Sequence, residues 1–161
     1  MGIRYYGYAV DADRTADALA DPRAFISSDP LADAWGLERR ALVSVTTFEQ
    51  VTPERDLLYL DKAWRDLQWL TAGTPAYLLF EGDVTMTPFG WIPWVRALAP
   101  YEIAPIADDL QCISEATVVE RFRDVGFGIG DADYLVHFLD RARAFTAGLA
   151  REGRGIAYLI G

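Results

Sequence analysis

YLDKAWRDLQWLTAG, residues 59–73, decides where strands give way to helices in this chain. Leu60, Ala63, Trp64, Leu67 and Leu70 recur at the three- and four-residue spacing that lines one face of an α-helix. Asp61 stands where a side-chain acceptor would meet the free N–H groups of a first turn, and Gly73 followed by Pro75 supplies a stop. Lys62, Arg65 and Asp66 then fall on the outer side, with Gln68 and Trp69 at its edges. Such a helix sets no nucleophile against a base, so the stretch reads as an anchor for the core rather than a catalytic element.

On the N-terminal side, residues 3–10 are rich in Tyr and β-branched side chains and read as a first strand. Asp11 or Asp13 can cap a short helix ending near Ala20, along which Asp13, Asp17 and Asp21 share one face. SSDPLADAWG, residues 27–36, is a compact helix signal, with Asp29 as cap, Pro30 at the first helical position and Gly36 as the stop. LVSVTTF, residues 42–48, is dense in β-branched residues and predicts a second strand.

On the C-terminal side, the apolar run at 76–80 predicts a third strand, and PFGWIP at 88–93 an irregular, proline-stiffened loop. A helical region covers about 102–110, where Pro105 must kink the helix or mark its start. Ser114 can cap a further helix to about Arg123. GFGIGDAD, residues 126–133, then leads into a long helix over 132–150 whose apolar face is Leu135, Phe138, Leu139, Ala142, Phe145 and Leu149. Gly153 and Gly155 bracket its exit, and residues 156–160 form a closing strand. Strands and helices do not alternate strictly. The expectation is a single α+β domain over residues 1–161, with a mostly antiparallel sheet packed against several helices.

Composition narrows the function. Hydrophobic residues at 52% and charged residues at 24% describe an ordinary globular domain. Cys112 is the one cysteine, so no internal disulfide forms. The start lacks the apolar core and cleavage site of a secretion signal, and no apolar run approaches the roughly 18 residues of a membrane span. A cytoplasmic protein with no membrane partner is expected. A net charge of −9 argues against nucleic acid and would speed encounter with a basic protein partner.

Candidate chemistry is thin. His137 is the one histidine and lies beside the apolar face of the last helix, four residues from Asp133 and from Arg141, which suits a structural boundary position. Cys112, in LQCIS, reads as a buried small hydrophobe. The two DAD triplets lack the glycine and further oxygen ligands of a calcium loop and are accounted for by helix capping. The glycines at 126–130 precede a helix, but acidic Asp131 and Asp133 occupy the place an anion would take. No catalytic residue, metal or cofactor is expected.

The aromatic turn GWIPW, residues 90–94, carries more. Trp91 and Trp94 flank a stiff Ile-Pro, Arg96 follows, and Glu81 and Asp83 stand just upstream. Rigid aromatics with arginine dominate interface hot spots, but the favoured reading of this turn is a lid that closes one end of the core, since large aromatics are mostly buried. The leading functional expectation is a non-enzymatic module that binds a basic protein, of an immunity or regulatory kind. Its candidate contact residues are Asp61, Arg65, Glu81, Asp83, Trp91, Trp94 and Arg96. The alternative is a small-ligand binder or enzyme with a pocket near Asp61, Arg65, Glu81 and Trp91.

The DKAW core of residues 61–64, with Thr71-Ala72-Gly73 after a Leu-rich turn, resembles the "DKAWH…LLTG" core of the YfbM-like bacterial domain-of-unknown-function family. The Met1-Gly2 start, the Gly90-Trp91-Ile92-Pro93 turn with Arg96 and Leu98, and the ending from Glu152-Gly153 to Tyr158-Leu159 are similar to that family's opening, "GYGPARYL" turn and "EG…YL" strand. Arg65 and Gln68 stand where members often carry histidines, and Ile92 replaces a glycine. The resemblance implies one α+β domain and no established activity.

Overall fold

The computed structural model describes residues 2–36, 49–125 and 131–161. Among these residues the centre is a four-stranded antiparallel sheet of order β2-β1-β6-β5, built from β1 (Tyr5–Val10), β2 (Leu57–Asp61), β5 (Trp94–Leu98) and β6 (Gly155–Ile160). The first and last strands are therefore central neighbours. All six residues of β6 are buried, which explains its unbroken apolar sequence GIAYLI.

Side chains alternate between two cores. One face carries Tyr5, Leu58, Leu60, Leu98, Ile156, Tyr158 and Ile160 against helices α3 (Trp64–Leu70), α4 (Tyr77–Phe80), α5 (Pro100–Cys112), α6 (Glu115–Val125) and α7 (Ala132–Glu152). The other carries Tyr6, Val10, Leu57, Tyr59, Ala97, Ala157 and Leu159 against a smaller layer. That layer holds α1 (Thr15–Ala20), a 3₁₀ turn at Pro22–Phe25 and α2 (Pro30–Trp35). The arrangement is one α+β domain of three layers.

Local signals place α2 and α7 where the sequence puts them. The Asp29 carboxylate accepts from the Ala32 N–H at 3.1 Å, and Gly36 closes α2 with φ +65°. Asp131 caps α7 through the Tyr134 N–H at 2.9 Å, and Ser114 caps α6 through the Thr117 N–H at 3.0 Å.

Elsewhere the fold corrects the sequence. Leu60 and Asp61 belong to strand β2, not to a helix, because Leu58 and Leu60 alternate into the large core with period two. Asp61 therefore caps nothing, and α3 begins at Trp64. The run at 76–80 forms helix α4 rather than a strand, its start held by the Ala76 N–H donating to Asp109 at 2.9 Å. A short apolar run has no periodicity that separates the two outcomes. Residues 88–92 belong to a hairpin of β3 (Thr85–Thr87) and β4 (Gly90–Ile92), not to an irregular loop, and Pro93 separates that hairpin from β5.

Helix α5 starts at Pro100, where the Ala99 N–H donates to Glu102 at 2.8 Å, and Pro105 lies inside it on the solvent side. Cys112 is exposed at the end of α5 instead of buried. The Asp11 side chain caps no helix but meets Arg154 at 2.8 Å. The strand expected at 42–48 and the glycine loop at 126–130 lie outside the described residues.

Candidate functional site

From residue 84 to residue 95 the chain has no charged side chain. Within it Thr85 faces Ile92, Met86 faces Trp91 and Thr87 faces Gly90, with Pro88 and Phe89 as the turn. The hairpin is a separate two-stranded sheet, and no described strand pairs with its outer edges. Phe89 at the tip is 101% exposed, Met86 68% and Ile92 58%. Trp91 and Trp94 are 40% and 37% exposed, so neither is sealed into the core as a lid would be. One or two exposed apolar residues need no explanation, whereas four on one hairpin, with Trp94 exposed beside its base at the start of β5, mark an unpartnered surface.

The base of the projection is rigidly held. Gln68 on α3 donates to the carbonyls of Phe80 at 3.0 Å and Gly82 at 2.9 Å. From β6, the Tyr158 hydroxyl donates to the Glu81 carbonyl at 2.7 Å, while Arg96 on β5 pairs with the Glu81 carboxylate. Gly82 has φ +135°, and a Cβ there would sit 2.3 Å from the Trp94 ring. Only glycine satisfies both the backbone and that close approach. Asp83 meets Arg65 of α3 at 3.0 Å on the surface.

A second cluster surrounds Asp61. One oxygen of its carboxylate accepts from Arg4 and from the Tyr59 hydroxyl, each at 2.9 Å, and the other accepts from the Tyr134 hydroxyl at 2.9 Å. The Trp35 indole N–H donates to Tyr59 at 3.0 Å, the Lys62 N–H to Tyr134 at 3.3 Å, and the Arg4 guanidinium lies 4.9 Å over the Trp35 ring. Asp61 takes φ +47°, a left-handed turn that swings the chain out of β2 towards α3. Beyond that turn Trp64 is buried and donates to the Ile3 carbonyl at 3.4 Å.

Burial alone would raise the Asp61 pKa. The hydrogen bonds from Tyr134 and Tyr59 and the charge of Arg4 outweigh it and hold the carboxyl below its ordinary 3.8. Burial, reinforced by that carboxylate, pushes both tyrosines well above 10. A carboxylate so stabilised is a poor proton acceptor, and phenols so shifted are poor acids. The cluster is built to hold the strand-to-helix corner.

The seven residues singled out in the sequence fall into two places. Glu81, Asp83, Trp91, Trp94 and Arg96 gather at the hairpin and its base, and Arg65 joins them through Asp83. Asp61 is elsewhere. It lies in one row of the sheet with Tyr5, Ile160 and Trp94, on the opposite edge, about 14 Å from Trp94 at ordinary strand spacing. Trp91 lines a cleft of about 270 Å³ with Arg23, Asp29 and Leu31, whereas Arg65 lines a separate one with Lys62 and Trp64.

His137 is exposed, with its ring edge-on to Phe138 at 5.0 Å. Sequence reasoning missed Met86 and Phe89, although the uncharged run at 84–95 was a signal that could have found them. It also missed Arg4 and Tyr134, which no local spacing connects to Asp61, and Tyr59, whose strand spacing of two from Asp61 the helical reading of this stretch concealed.

No protein-family model matches the sequence, and no curated protein matches it. Among solved structures the chain is similar to the crystal structure of a protein of unknown function, YfbM from Escherichia coli. The TM-score is 0.53 at 14% identity, covering 98% of this chain and 99% of that one. The fold is thus YfbM-like. No described helix is long and apolar enough to cross a membrane.

Proposed function

We propose that this chain is a YfbM-family protein of the bacterial cytoplasm and a non-enzymatic module, of an immunity or regulatory kind, that binds a basic protein partner through the hairpin at 84–95. The observation that carries the reading is the exposure of Met86, Phe89, Trp91 and Ile92 on one rigidly based, uncharged hairpin, with Trp94 exposed beside its base. Aromatic anchors of this kind supply most of the affinity at protein interfaces. The occupant is a basic protein on grounds of charge. The domain carries −9, Asp83 and Asp29 flank the hairpin, and Asp13, Asp17 and Asp21 are exposed. That field attracts a cationic protein and repels both a second copy and an anionic membrane.

The test uses wild type and a Phe89→Ser/Trp91→Ala variant, first shown to be folded by circular dichroism. A partner captured from host lysate is identified, purified and measured against both forms. The expected partner is basic, its association rate falls as salt rises, and the variant binds it roughly thirtyfold more weakly, about 2 kcal/mol for lost hot-spot residues. Capture of nothing, equal capture by the variant, or an acidic partner would overturn the reading. Binding of the hairpin to zwitterionic lipid vesicles in place of a protein would overturn it as well.

A further inference from the structure

A groove of about 410 Å³ runs along α7 on the side facing β2, the sheet edge opposite the hairpin. On α7, His137, Arg141, Ala144, Gly148 and Arg151 follow one another at spacings of four and three residues, so they form a single stripe. The small pair in the middle leaves a trough, with Leu57, Leu58 and Phe145 supplying apolar surface beside it. A Cβ at Gly148 would meet nothing closer than the Arg151 guanidinium at 3.8 Å.

The ion pairs around this trough are unlike those elsewhere. Arg55, Arg141 and Arg151 line it, and their carboxylate partners stand off at 3.4, 3.7 and 3.9 Å. Every other ion-paired arginine among the described residues (Arg4, Arg14, Arg65, Arg96, Arg143 and Arg154) has a carboxylate within 3.0 Å. Three carboxylates also line the groove: Glu54 is the partner of Arg141 at 3.7 Å, Glu152 lies 3.9 Å from Arg151 and 3.5 Å from Arg154, and Asp140 is drawn outside the lining to Arg143 at 2.7 Å. Arg141 is three-quarters buried and oriented by a 2.8 Å hydrogen bond to Gln50, a neutral acceptor that fixes its plane without cancelling its charge. His137 makes no hydrogen bond to a described residue.

We propose that this groove binds a small organic anion, a carboxylate or phosphate on an apolar body. The head group lies against Arg141, the apolar body fills the trough at Ala144 and Gly148, and the Arg151 side chain closes the far end of that trough over Gly148. Guanidinium groups lacking a close carboxylate offer the paired donors that planar oxyanions accept. The volume lies within the range of about 300–1,000 Å³ typical of small-molecule sites. The inference does not rest on the hairpin, and each site can be altered without touching the other.

The test is a titration of the folded protein by NMR with four probes: 4-phenylbutyrate, phenyl phosphate, the uncharged 4-phenylbutanol and inorganic phosphate. Both organic anions should give saturable shifts at the Gly148 amide and the Arg141 and Arg151 side-chain N–H groups. The alcohol and inorganic phosphate should bind at least about tenfold more weakly. Either order between the two organic anions supports the site and identifies its preferred head group. Gly148→Leu fills the trough while favouring the helix, and should weaken both anions about tenfold or more; Arg151→Ala should do the same. No saturable shift with either anion would overturn the proposal. So would equal binding of the alcohol, equal binding of inorganic phosphate, or an unchanged affinity in Gly148→Leu.

Discussion

Asp61 and Trp94 end the same row of the sheet on opposite edges, and the chain treats polarity differently at each. Around Asp61 a charge is drawn partly inside and given a donor on each oxygen, so two tyrosines, an arginine and a tryptophan hold one another. At the hairpin, charge is absent for twelve residues and apolar surface is pushed outwards. A satisfied polar cluster restricts the fold to one arrangement, because any competing packing would strand a charge. An unsatisfied apolar projection contributes little to folding and becomes useful on contact with another molecule.

Removing the charge at one edge tests that contrast most severely. Asp61→Ala leaves Arg4, with a side chain 12% exposed, without its anion and puts Ala at φ +47°. We expect a loss of about 3 kcal/mol in urea unfolding. The same carboxylate sets a pH dependence. Its folded pKa is lowered, so its contribution is complete above the unfolded value near 3.8 and fades as pH falls through the folded one. Asp61→Asn should abolish that acid-side slope, and a slope that survives would assign it to other carboxylates.

At the other edge the base of the hairpin should matter to stability and its tip should not. Gly82→Ala strains the backbone and collides with Trp94, and should cost about 2 kcal/mol by thermal unfolding. Tyr134→Phe removes one hydrogen bond to Asp61 and strands the Lys62 N–H, for about 1 kcal/mol. Phe89→Ser should change stability by less than about 0.5 kcal/mol while weakening partner capture. A large stability loss from Phe89→Ser would mean that the tip packs against the body of the protein, and the contrast would fail.

Some of this was legible in the sequence. Asp29, Pro30 and Gly36 announce α2, and Asp131 and Gly153 bound α7, because capping is a contact within four residues. The residues at 59–73 misled because Leu58 and Leu60 fit a strand while Leu60, Ala63, Trp64 and Leu67 fit a helix. The prolines at 88 and 93 signalled a turn, yet the pairing of Met86 with Trp91 lies between residues that composition alone does not match. Asp61 was singled out in the sequence, but its cluster with Arg4 and Tyr134, partners 57 and 73 residues away, was not legible there.

The sequence by itself determined the α+β class, the caps of three helices, the acidic charge and the aromatic stretch at 90–94, since each depends on composition or on neighbours within a turn or two. The tertiary structure alone decided that residues 57–61 are a strand, that 76–80 are a helix, and that Asp61 and Trp94 stand on opposite edges. It alone leaves three arginines over one trough with no described carboxylate closer than 3.4 Å. Those outcomes depend on which surfaces meet across the sheet, and burial against distant residues outweighs the fraction of a kcal/mol per residue by which local propensity favours one conformation.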